Sequence, residues 1–157
     1  MKTLILMLVI LLFGLAIVMT FFDIGKAYVF SPTRITITLN QEPLKGAKVI
    51  RRWDWNKQGE DHAFTNEEGV VELPEIRRRG ITQFILAEFV AAQQIMVLVD
   101  DKEERIWSYS KRASGENAEL GGKPLVLNCE LSNEEKMYRD FGPPLLTKCT
   151  WSKEEVS

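Results

Sequence analysis

The chain has one histidine, His62, and two cysteines, Cys129 and Cys149, so the chemistry open to its side chains is narrow. A two-histidine zinc site is excluded, and a Ser-His-Asp arrangement would have to pass through His62. His62 ends the run Gly59-Glu-Asp-His62 beside a turn, the setting of a solvated strand-edge side chain. A hydrolase built on it therefore ranks behind binding functions. Asp54-x-Asn56-x-Gln58-Gly59 opens like an EF-hand loop, yet its twelfth position is Thr65 rather than a bidentate Glu. No metal and no cofactor are expected.

Binding chemistry has more to work with. Of the four tryptophans, Trp53 and Trp107 are expected in the core, while Trp55 at a strand end and Trp151 in the tail are left open. Exposed aromatics anchor protein partners and also stack on sugar rings. Arg77-Arg78-Arg79 suits an anionic headgroup or an acidic partner surface, although a run of three is also ordinary exposed charge. Trp55, Arg77, Arg78 and Arg79 are thus the candidate binding residues. Cys129 and Cys149 are what a single structural disulfide needs, with two free thiols as the alternative.

The elements that must position these residues repeat with a period of two. Arg34-Ile-Thr-Ile-Thr-Leu39 alternates polar with apolar residues until Asn40-Gln-Glu-Pro43 interrupts it. The next run puts Ala47, Val49, Arg51, Trp53 and Trp55 on one face, and ends at Asn56 to Gly59. Further strands are expected near His62 to Thr65, at Val70 to Leu73, Ile81 to Val90, Gln94 to Val99, Arg105 to Lys111 and Leu125 to Leu131. Asp100 to Glu103 should join two of them as a hairpin. Short strands at this spacing favour an antiparallel sandwich or barrel over a parallel sheet, which needs long crossovers. The one helix cue in this part is Ser132-Asn-Glu-Glu135, a capping box before Lys136 to Asp140.

Ahead of the strands, residues 3–22 run without a charge. Twenty apolar residues in a helix match the ~30 Å hydrocarbon core of a bilayer. The run is longer than a signal-peptide core and ends in Met19, Phe21 and Phe22, so an uncleaved anchor is expected; cleavage after Ala27 is the rival reading. All 22 acidic residues and 19 of the 20 Lys and Arg come after Phe22, leaving a well-charged, slightly acidic domain. The ~125 residues from Ser31 onward are enough to bury a core. A net charge of −2 gives no argument for nucleic acid.

Three phrases together resemble a known fold family. They are Ile35-x-Ile37-x-Leu39, Glu42-Pro-Leu-Lys-Gly-Ala47-x-Val49, and Thr65-Asn-Glu-Glu-Gly69-x-Val71-x-Leu73-Pro74. The pattern resembles the opening half of transthyretin-like domains, including carboxypeptidase regulatory-like modules, with Asn66 where Asp is usual and Val71 where an aromatic is common. Later stretches such as Glu119-Leu-Gly-Gly-Lys-Pro124 resemble an uncharacterised bacterial family on that fold. The resemblance implies an all-β Greek-key β-sandwich. Hydroxyisourate hydrolases share the fold, but their signature needs several histidines and a terminal Tyr-Arg-Gly-Ser, where this chain ends Lys153-Glu-Glu-Val-Ser157.

The expectation is therefore an anchor at 1–27 with a single transmembrane helix, then a transthyretin-like domain at 31–157 whose tail is 132–157. It stands in the bacterial inner membrane with the domain in the periplasm. Its function is non-catalytic binding of a protein partner, in concrete form an immunity or inhibitor protein against an envelope-acting toxin. A cell-envelope carbohydrate-binding module is the alternative.

Overall fold

The computed structural model describes residues 5–11, 14, 26–80 and 88–152. Residues 5–11 and 14 are helical, and the remainder of the apolar run 3–22 lies outside the described residues. Among the described residues no helix is long and apolar enough to cross a membrane.

From Lys26 onward the described chain is β-structure. Its strands are β1 (Lys26–Phe30), β2 (Thr33–Leu39), β3 (Glu42–Pro43), β4 (Lys48–Trp55), β5 (Lys57–Phe64), β6 (Val70–Leu73) and β7 (Ile76–Arg79), followed by β8 (Ala91–Val99), β9 (Lys102–Lys111), β10 (Leu125–Glu130), β11 (Lys136–Tyr138), β12 (Leu145–Thr147) and β13 (Cys149–Trp151). One sheet runs β11-β12-β9-β8-β4-β5; a second runs β13-β10-β2-β3, with β6 also beside β2; β1 and β7 form a separate ribbon. All pairings are antiparallel except β2 with β10. This is an all-β, sandwich-like arrangement.

Alternation explains which faces meet. Ile35 and Ile37 of β2, Leu125, Leu127 and Cys129 of β10, Val49 and Trp53 of β4, and Ile95 and Val97 of β8 all belong to one buried cluster. Each such side chain removed from water contributes roughly 1.5–3 kcal/mol. A bulge opposite Ile95 and Met96 lets Ile106 and Trp107 be buried in succession, which strict alternation forbids.

Several elements differ from the sequence reading. β5 starts at Lys57 rather than near His62, because Asn56 at φ 57° reverses the chain within one residue. Gly59 is inside that strand, not in a turn: a Cβ there would stand 2.3 Å from the Trp53 ring, so only glycine lets the indole lie across β5. The capping-box stretch holds β11 instead of a helix, since Lys136, Met137 and Tyr138 pair with β12. Of the strand expected at 81–90, residues 81–87 lie outside the described residues and 88–90 are not strand.

The tail is a strap across both sheets. β12 pairs with β9 in one and β13 with β10 in the other, so the chain changes sheet at Lys148. Lys148 Nζ donates to Leu131 O and to Glu104, each at 2.8 Å. Cys129 and Cys149 are direct register partners and form a disulfide. At the neighbouring turn, Asn40 and Gln41 adopt positive φ, and their amides donate to the Glu130 carboxylate. With Ser132 as its strongest donor, that carboxylate is held down at about 2.

Candidate functional site

Two charged clusters lie inside the sandwich, and neither was expected from the sequence. Lys111 of β9 and Glu119 of the 3-10 turn Ala118–Leu120 are both fully buried, with Nζ 3.1 Å from Oε2. Glu119 Oε1 accepts from Ser31 N at 3.0 Å and Gln93 Nε2 at 2.8 Å, while Oε2 accepts from Ser31 Oγ at 2.7 Å. Burial lowers the Lys111 pKa, with Glu119 opposing the shift. Burial and then Glu119 raise that of Tyr109.

Lys111 Nζ is 3.3 Å from Ser31 Oγ, the separation of a serine from an activating amine. Ser31, Lys111 and Glu119 all have zero exposure, however, and the hydroxyl is already donated to Glu119. No substrate atom can reach it. The network joins the β1–β2 link, β8, β9 and the turn, and its role is structural.

Arg51 of β4 is the second buried charge. It grips Asp61 through Nε and Nη2, donates from Nη1 to Pro74 O at 2.6 Å, and lies 5.2 Å from the Phe30 ring centroid. This cation too is fully satisfied inside the fold.

The open site lies beside it, in a groove of about 680 Å³ between β5 and β7, lined by Trp53, Trp55, Lys57, Ile76, Arg78 and Arg79 among others. The register across the ribbon explains how the arginines divide. Arg78 stands opposite Ala27, which points into the core, so Arg78 shares that face and reaches over Trp53, 5.7 Å from its ring. Arg77 stands opposite Tyr28 on the other face and stacks on it at 4.9 Å; Arg79 stands opposite Lys26. The three arginines therefore do not form one patch: Arg77 is turned onto Tyr28, away from the groove that Arg78 and Arg79 line.

Trp55 needs a correction. It is 6 % exposed, packs 5.2 Å from the Phe89 ring, and fills the space above Gly80. It is a core residue at the floor of the groove, not an exposed anchor. Trp53 and Trp107 are buried as expected, and Trp151 is half-buried between Tyr138 and Phe141. His62 is exposed on the edge strand β5, beside Phe64. Among the described residues no group of three or more His, Cys, Asp or Glu is placed to hold a metal ion.

A second, shallower groove of about 580 Å³ lies along the outer face of the six-stranded sheet, where Asp54, Gln58, Gln94, Ser108 and Ser110 present polar side chains. Neither groove has a nucleophile paired with a base. Fold and groove together define a disulfide-closed β-sandwich with an open cleft floored by Trp53 and Trp55 and rimmed by Lys57, Arg78 and Arg79 together with Glu60 and Asp61.

The chain belongs to the family described as a domain of unknown function, DUF6795, whose model matches residues 33–134. That is 102 of the 157 residues, from the start of β2 to just before β11. No curated protein and no solved structure matches the chain.

Proposed function

We propose that this chain is a non-catalytic binding protein, held in a bacterial inner membrane by residues 3–22 as a single-pass anchor, with its domain in the periplasm and a protein partner in the β5–β7 groove. The observation that carries the reading is the groove: indole edges of Trp53 and Trp55 beneath a charged rim of Lys57, Arg78, Arg79, Glu60 and Asp61, next to buried ionic groups that are engaged within the fold. Aromatic surface with arginine is the composition of interface hot spots. The concrete form is an immunity or inhibitor protein that occludes an envelope-acting toxin. The transthyretin-like assignment rests on the motif resemblance and draws support from the two facing sheets.

Arg78→Glu tests the groove. Purified in detergent with native membrane proteins, wild type should retain a partner that Arg78→Glu loses by at least about fivefold, roughly 1 kcal/mol. Equal recovery by both proteins would remove the groove from consideration. The polar outer-face groove favours the carbohydrate reading instead, and binding to peptidoglycan that Arg78→Glu leaves unchanged would select it.

The compartment draws support from the Cys129–Cys149 bond, since disulfides persist in oxidising spaces. Protein taken from native membranes under alkylating conditions should yield one cross-linked peptide pair. Two alkylated thiols there would point to a reducing compartment.

A further inference from the structure

The face of the β1–β7 ribbon turned away from the core carries Lys26, Tyr28, Arg77 and Arg79, paired as Lys26 with Arg79 and Tyr28 with Arg77. Successive strand residues point to opposite faces, and directly opposed residues share one. Ala27 and Val29 point inward and are fully buried, which fixes the outward direction of these four. Lys26 and Arg79 are exposed, and Tyr28 and Arg77 are half-buried with the guanidinium stacked on the phenol ring.

The position of this face along the chain matters as much as its charge. Only residues 23–25 separate Phe22, the last residue of the apolar run, from Lys26. Four residue steps span at most about 14 Å when fully extended. Lys26 is thus confined to that distance from Phe22, and the register brings Arg79 and Arg77 with it. The headgroup layer on each side of a bilayer is roughly 5–7 Å deep. A run that spans the hydrocarbon core and ends at Phe22 keeps Lys26 within reach of that layer.

We propose that Lys26, Tyr28, Arg77 and Arg79 dock the domain onto the anionic phospholipid headgroups of the membrane that holds the anchor. This rests on the membrane-anchor reading above. The residue types favour it: the face presents Lys26, Arg77 and Arg79 around Tyr28, with Glu75 and Glu116 near enough to act on that phenol. Tyrosine with Lys and Arg is also the residue set that settles at a membrane–water interface. Docking on this face leaves Trp53 and Arg78 of the groove for a partner, with Arg79 shared between the two surfaces.

The test uses the full chain reconstituted in nanodiscs of neutral phosphatidylcholine, and in discs with about a third phosphatidylglycerol, whose negative surface attracts such patches. Modification by phenylglyoxal is read at each arginine by mass spectrometry. Arg77 and Arg79 should react at least about threefold more slowly in the anionic discs, and regain their rate near 0.5 M salt, where screening shortens to roughly 4 Å. Arg34 and Arg112, with side chains 52 % and 48 % exposed, should not change. Paired replacement Lys26→Gln with Arg79→Gln should abolish the protection of Arg77 while the chain stays in the disc.

Equal reactivity of Arg77 and Arg79 in the two discs, in a chain that resists carbonate extraction, overturns the docking and leaves the anchor standing. Release of the chain by carbonate overturns the anchor, and the docking with it. Protection in neutral discs by soluble polyglutamate but not by anionic lipid overturns it in favour of an acidic protein. Equal protection by free inorganic phosphate overturns it in favour of a simple anion site.

Discussion

Glutamine in place of Glu119 should lower the unfolding free energy by about 3–5 kcal/mol, the scale for breaking a buried ion pair from one side. The substitution keeps the shape and leaves an amide that can still accept from Ser31 N. It strips the Lys111 ammonium of its counter-charge where neither group meets solvent. Lys111→Met should cost a comparable amount, because the carboxylate then stays buried without its cation. The double variant should recover most of either loss, since an uncharged pair of similar volume carries no desolvation penalty. Chemical denaturation of all three proteins checks this, provided the transitions remain two-state. Additive losses, or a Glu119→Gln cost under about 1 kcal/mol, would mean that water reaches the pair.

That pair marks the limit of what the sequence makes legible. Alternation in Thr33–Leu39 and Lys48–Trp55 is readable because one face must be apolar, and the burial of Ile35, Ile37, Val49 and Trp53 is its consequence. Asp100 and Asp101, at φ 47° and 61°, are turn residues by type and by position. Arg51 falls on the buried face in the same pattern, but nothing local says that Asp61, ten residues on, will meet it. Glu119 is harder still. Its partners Ser31, Gln93 and Lys111 lie 88, 26 and 8 positions away, and the second Glu of Glu-Asn-Ala-Glu-Leu reads as solvated charge. Only the tertiary fold pairs these groups, and no periodicity encodes it.

The ribbon and the tail strap were hidden for another reason. β1, β7, β12 and β13 are three to five residues long, below the length at which a period of two can be told from chance. The disulfide was readable where its strands were not, because two late cysteines in a chain with no others restrict each other's choice. The arginine run shows the opposite failure. Read as a string, Arg77, Arg78 and Arg79 make one basic patch; read as a strand, they divide between two faces with different neighbours.

Trp55 separates the two kinds of reading by experiment. It lies on the buried face with Val49, Arg51 and Trp53, and its place at the end of β4 suggests solvent only while Gly80 and Phe89, distant in sequence, are ignored. Both close over it: the Phe89 ring is 5.2 Å away, and a Cβ on Gly80 would come within 2.6 Å of the indole. Trp55→Ala should therefore destabilise the domain by about 3–5 kcal/mol, as should Trp53→Ala, because each leaves an indole-sized void in a packed interior. Arg78→Glu, whose side chain is exposed, should shift stability by no more than about 0.5 kcal/mol while acting on partner retention. A Trp55→Ala protein as stable as wild type but defective in binding would return Trp55 to the surface. The facing of β4 would then be off by one residue, which exchanges inside for outside along the whole strand.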